Sequence, residues 1–287
     1  MTAAGASDQR GTATGAPVLG VTRVLGAVIV PFLVVAWAIL FLVPEDTGRW
    51  FAWPVQPPMT AMLLGSIYLG GAWFFVRVVT ARAWEEVRLG FLPVIGFATL
   101  MGVATAVHWD LFTHGHSAFV AWATLYFSTP VLVLAAWWWN TRVAHRHDGH
   151  LGAGFSLTPR TRAVAAALGT FAVAVSLALT VWPELVLRVW PWSLTPLTGR
   201  VVGAIFVLGG AGIGIARRSS WRSVRLLIQV AWIMLGLMAV ATVRAWDDLD
   251  GGPLTGVFVA WIVLVLAGSA VVYVRMERRS RGQGASP

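Results

Sequence analysis

The chain has 287 residues, of which 57% are hydrophobic and 11% charged, and its mean hydropathy is +0.74. Soluble globular domains carry about 25% charged residues, so the composition points away from a soluble fold, and the absence of cysteine excludes disulfides, thiol nucleophiles and cysteine-held metals. The formal net charge is +9 and every basic residue is arginine. The placement of those arginines fits membrane topology better than nucleic-acid binding.

Residues 1–20 are rich in Ala, Gly, Thr and Ser and read as a disordered N-terminal tail. No charged segment leads directly into a short apolar core, so the start does not read as a signal peptide. Eight apolar segments follow, near 24–43, 58–79, 89–107, 117–139, 163–182, 199–216, 224–243 and 254–274. Each is long enough to cross about 30 Å of hydrocarbon as a helix. The runs are continuous rather than alternating, which excludes the short strands of a membrane barrel. The expected fold class is an all-α integral membrane protein with eight transmembrane helices.

Only Arg49, Arg188, Arg200 and Arg244 fall on one side of these segments, and the other 17 of the 21 arginines fall on the opposite side. Arginine accumulates on the cytoplasmic face, so both termini are expected in the cytoplasm of a cell-membrane protein.

The chain contains a repeat. Pro44, Glu45, Arg49, Trp53, Pro57, Leu69, Gly70 and Gly71 recur 139 positions later as Pro183, Glu184, Arg188, Trp192, Pro196, Leu208, Gly209 and Gly210. At an offset of 137, Trp84, Arg88, Trp109 and Asp110 recur as Trp221, Arg225, Trp246 and Asp247. The offset returns to 139 where Phe119 to Trp122 match Phe258 to Trp261. Matches of Leu, Val and Ala mean little in apolar sequence; shared Pro, Glu, Arg, Trp and Asp mean more. The organisation expected is therefore a first four-helix repeat at 21–145, a cytoplasmic linker at 146–162, a second repeat at 163–276 and a cytoplasmic tail at 277–287. Four helices return the chain to its starting side, so the two copies run parallel, related by an axis along the membrane normal.

Three constellations are candidates for function. The outer turns pair Glu45 with Arg49 and Glu184 with Arg188, at a spacing that puts acid and base on one helical face. Beside them stand Trp53 and Trp192. Such turns fit an interfacial cap with an aromatic belt at headgroup level; alternatively, they form a rim that orients a small polar solute in a vestibule between the copies. Asp110 and Asp247 sit at the outer ends of the third and seventh segments, where a carboxylate either reaches water or marks a site. Arg244 stands one turn before Asp247 and is placed to pair with it. His108, His114 and His116 cluster in one outer loop and could hold zinc or copper, although the second copy has no such cluster. A further His145, His147 and His150 lie in the linker.

Gly65, Gly70 and Gly71, with Gly203, Gly209 and Gly210, allow close helix approach and point to the second and sixth segments as the central interface. No haem, nucleotide or flavin motif is present, and neither is a phosphate loop, a zinc-protease motif or a serine-hydrolase elbow. The sequence supports two main readings: a protein that binds or moves a small solute, and a non-catalytic scaffold or accessory subunit. A membrane enzyme using the outer His and Asp residues comes third. A polar cavity along the axis favours transport, and apolar closure favours the scaffold.

Overall fold

The computed structural model describes residues 15–147, 157–217 and 220–283. Eight of its helices are long and apolar enough to cross a membrane. They are α1 (Gly20–Leu42), α2 (Pro58–Thr80), α3 (Arg88–Val107), α4 (Ser117–Arg146), α5 (Pro159–Val181), α6 (Pro196–Arg217), α7 (Trp221–Arg244) and α8 (Pro253–Ser280). In hydrocarbon a spanning segment must satisfy its own backbone polar groups, which an α-helix does internally. Residues 1–14 of the expected tail, and 148–156 of the expected linker with His150, lie outside the described residues. The segment after residue 14 is packed: Ala16 and Val18 are buried, and Ala16 accepts from the Trp84 amide at 2.8 Å.

The helices pack as hairpin pairs, α1 on α2, α3 on α4, α5 on α6 and α7 on α8. The two halves meet mainly through α2 on α7 and α3 on α6. Over the apolar stretch of each helix, α2 is 67% buried, α5 17% and α8 11%, so α2 is central and α5 and α8 are outermost.

The expectation that α2 and α6 form the central interface through their glycines is corrected. Contact between α2 and α6 is minor. Most of the glycines instead serve the hairpin seams: Gly65 faces Leu40 and Phe41 of α1, Gly71 faces Leu33, and Gly203, Gly209 and Gly210 face α5. Gly70 alone of the six faces across the halves, toward Met234 of α7. The tightest seam is α5 on α6, where a Cβ at Gly212 would lie 2.2 Å from the Ala165 carbonyl oxygen. A close approach of backbone to backbone requires glycine there.

Bonds at matching positions recur in the two halves. The Thr113 amide donates to the Ala52 carbonyl at 2.9 Å, and the Asp250 amide donates to the Pro191 carbonyl at 2.9 Å. The acceptors are 139 positions apart and the donors 137. At the other end of the bundle, Arg23 donates to the Val79 and Ala81 carbonyls, while Arg162, 139 positions on, donates to the Ala216 carbonyl at 2.9 Å. Each guanidinium satisfies carbonyls that the end of α2 or α6 leaves without an intrahelical partner.

Candidate functional site

The outer acid–base residues are spread over the surface. Pro44–Asp46 forms a tight turn that runs into the short helix Thr47–Trp50, and Pro183–Leu187 forms a short helix at the matching place. Glu45, Arg49, Glu184 and Arg188 are all exposed. No ion pair joins either i, i+4 pair among the described residues; the Arg49 guanidinium instead lies over the Trp50 ring, 4.7 Å from its centre. Both acidic residues at the aspartate positions, Asp110 and Asp247, are also exposed, in single turns at Trp109–Leu111 and Trp246–Asp248.

Trp53 and Trp192 depart from the aromatic-belt expectation. Each is 2% exposed and belongs to the core. Trp53 lies among Phe112 at 5.0 Å and Trp122 at 4.8 Å between ring centres. Trp192 lies 5.3 Å from both Trp190 and Phe258, and its indole N–H donates to the Thr60 hydroxyl at 2.9 Å, tying the second half to the start of α2. The Trp53 N–H has no partner. The residue matching Thr60, 139 positions on, is Gly199, which offers no side-chain acceptor.

Arg244 does not pair with Asp247; it donates to the Phe41 carbonyl at 2.7 Å. Arg200 donates to the Thr180 carbonyl at 3.1 Å, and Phe41 and Thr180 are 139 positions apart. The two halves thus satisfy the same outer carbonyl with arginines from different places, one from α7 and one from α6. Only the second arrangement reaches further: Arg200 also donates to the ring Nε2 of His108 at 2.7 Å, joining the end of α3 to α6. Burial, and then the Arg200 charge, hold the His108 imidazole below its usual pKa. The acid that links the halves at this end is Asp248, whose carboxylate accepts from the Met59 amide at 2.8 Å at the N-terminus of α2. Anions are favoured there by the helix dipole and the free amides. Sequence reasoning missed Asp248 because its counterpart is Leu111, so it falls outside the repeat.

The three outer histidines do not converge. His114 bonds to the Trp109 carbonyl at 2.8 Å and stacks on Phe119, with 4.8 Å between ring centres, whereas His108 is held by Arg200. No group of three His, Asp or Glu side chains that could hold a metal occurs among the described residues.

A concavity lies between the halves. A cavity of about 390 Å³ is bounded by α2, α3, α6 and α7, with side chains of the four flanking helices completing its walls. Ligand sites are commonly 300–1,000 Å³, apolar and few in number. The lining contains no Asp, Glu, Arg or His. From the outer turns, Trp190 and Trp192 reach it. Its sparse polar groups include Tyr68 and Tyr126, which are 2% and 3% exposed and share a hydroxyl–hydroxyl bond of 2.7 Å. The signal for this pair was present in the sequence: the chain has three tyrosines, and these two stand in the middle of apolar segments.

Compared with known protein families, curated proteins and solved structures, the chain matches none.

Proposed function

We propose that this chain is a multi-pass membrane protein of two parallel four-helix repeats that binds an apolar ligand, drawn from the bilayer, in the cavity between them. Both termini face the cytoplasm of the cell membrane. The observation that carries the reading is the charge-free lining of a cavity large enough for a small ligand. A polar solute would lose its hydration there and find few partners, at a cost of several kcal/mol; an alkyl chain would lose nothing. Support for the repeat arrangement comes from the matching bonds of Ala52 and Pro191, and from the interface pattern, since α2 on α7 and α3 on α6 are each other's counterparts when the halves are exchanged. Glu45, Arg49, Asp110, Glu184, Arg188 and Asp247 become solvated rim residues in this reading, and Trp53 and Trp192 structural anchors.

The test is lipid content after purification. Wild-type protein and an exposed-position control, Ala106→Phe, should retain a lipid species through detergent exchange, read by native mass spectrometry. Ala231→Phe, which places a ring in the cavity wall, should lose it while eluting as the same folded species. Wild type that retains no lipid would leave the scaffold reading in its place. Reporter fusions at the C-terminus and beside Asp110 test the orientation, which fails if the C-terminus reports outside.

A further inference from the structure

We infer that the ligand of this cavity is a lipid carrying a hydrogen-bond acceptor oxygen, such as a ketone, quinone or ester carbonyl, and that the Tyr68–Tyr126 hydroxyl pair receives that oxygen. The inference rests on the apolar-cavity reading and adds the chemistry of the polar end.

Hydrogen-bond accounting leads to it. Two tyrosine hydroxyls carry two protons, and they share one bond. Whichever hydroxyl donates, the proton of the other has no acceptor among the described residues, although both side chains are almost wholly buried. A buried donor without a partner is unfavourable, and native folds nearly always pair it. Both tyrosines line the cavity, so an acceptor held there can take the spare proton. The donor is neutral and the walls carry no charge, which selects an uncharged acceptor on an apolar body over a phosphate or carboxylate.

The repeat supplies the control. Positions 139 further on from Tyr68 and Tyr126 are Val207 and Val265. The second half builds the same helices with methyl groups at these places, so helix packing does not demand the hydroxyls. The pair is an addition to one half only, and it makes the two sides of the cavity unlike. An asymmetric polar spot orients a ligand that has one polar end. The indole N–H of Trp190, buried without a partner, is a second spare donor in the lining, whereas the unpartnered donors at Trp37, Trp53, Arg77, Trp84, Thr141 and Ser176 lie outside it.

The experiment uses two probes of equal length, 2-tridecanone and tridecane, offered to the full-length protein in detergent. Probe retained after gel filtration is measured by gas chromatography. Wild type should prefer the ketone by about three- to tenfold, the range that one net hydrogen bond supports. Tyr68→Phe and Tyr126→Phe should each keep the preference, because one hydroxyl remains and its proton becomes free to donate. The double Phe variant should bind both probes equally and still fold, since Phe keeps the ring, whereas Trp190→Phe should keep the ketone preference. A preference that survives in the double variant and disappears in Trp190→Phe assigns the acceptor to the indole N–H and overturns the tyrosine assignment. Equal binding of the two probes by wild type overturns the inference and leaves the apolar cavity intact. Loss of preference in either single variant overturns the assignment to a shared spare proton. Wild type that binds neither probe overturns both readings together.

Discussion

Thr60→Val tests one of the bonds by which the second half grips the first. Valine matches threonine in shape but removes the acceptor of the Trp192 N–H, a 2.9 Å bond between groups that are 1% and 2% exposed. The indole nitrogen would then be buried without a partner, as the Trp53 nitrogen already is. Stranding a buried neutral donor costs about 1–3 kcal/mol. Hydrogen bonds inside membrane proteins measure lower, about 0.6 kcal/mol on average and at most about 1.7. Thr60 and Trp192 are buried at the outer end of the bundle, with Trp192 against the Trp190 and Phe258 rings, so about 1–2 kcal/mol is expected, or roughly five- to thirtyfold in the folding equilibrium. Trp192→Phe also removes packed ring surface and should cost more. It leaves only a hydroxyl, which can turn to the carbonyl one helical turn back, as Ser66 does toward Met62. The double variant should therefore be less destabilised than the sum of the singles by about 1 kcal/mol, the coupling of two contacting residues. Reversible unfolding of the purified protein in mixed micelles, with increasing denaturing detergent, measures all four species. Strict additivity, or a Thr60→Val variant as stable as wild type, would refute the claim that this bond joins the halves.

Three other outcomes are expected. Gly212→Ala should destabilise by about 1–3 kcal/mol, as overpacked cores do, because the new methyl meets a carbonyl oxygen at 2.2 Å; Gly236→Ala, with nothing within 4 Å, should be neutral or slightly stabilising, and equal behaviour of the two in the same unfolding assay would refute the α5–α6 seam. The His108 pKa is lowered, so the fold favours the neutral ring and the unfolded chain binds the proton first. Stability is therefore full above the ordinary histidine pKa of about 6.5 and falls as pH drops below it; unfolding followed from pH 8 to pH 5 should show this, and His108→Gln should remove that part of the slope. Glu45→Gln and Arg49→Met, alone or together, should each shift stability by less than about 0.5 kcal/mol, as exposed substitutions do, and a large loss of folded yield in either single variant would contradict the exposed, unpaired geometry.

The sequence by itself determined the class of the molecule and where its helices lie. Continuous apolar runs of some twenty residues leave a chain no alternative to helices in hydrocarbon, which is why each of the eight expected segments overlaps a long apolar helix, although α4 and α8 run on past their expected ends of 139 and 274 to Arg146 and Ser280. A pattern of matches was legible too, because Pro, Glu, Arg, Trp and Asp rarely coincide by chance in apolar sequence. Partnership was not legible. Trp53 and Trp192 read identically, and only the packing decided that both are core and that the N–H of one finds Thr60 while that of the other has no partner. Spacing put Glu45 beside Arg49 and Arg244 beside Asp247, yet exposed charges gain little by pairing. Arg244 went instead to a helix-end carbonyl, where an unpaired polar group would otherwise be left. Asp248, Arg200 and the Tyr68–Tyr126 pair escaped the reading by repeat because their counterparts are Leu111, Ala61, Val207 and Val265. Matches at offsets of 137 and 139 record only what the halves share in sequence. The contacts across the cavity depend on where the two copies differ, and those differences acquire meaning only when the fold brings residues separated by tens to hundreds of positions within hydrogen-bond reach.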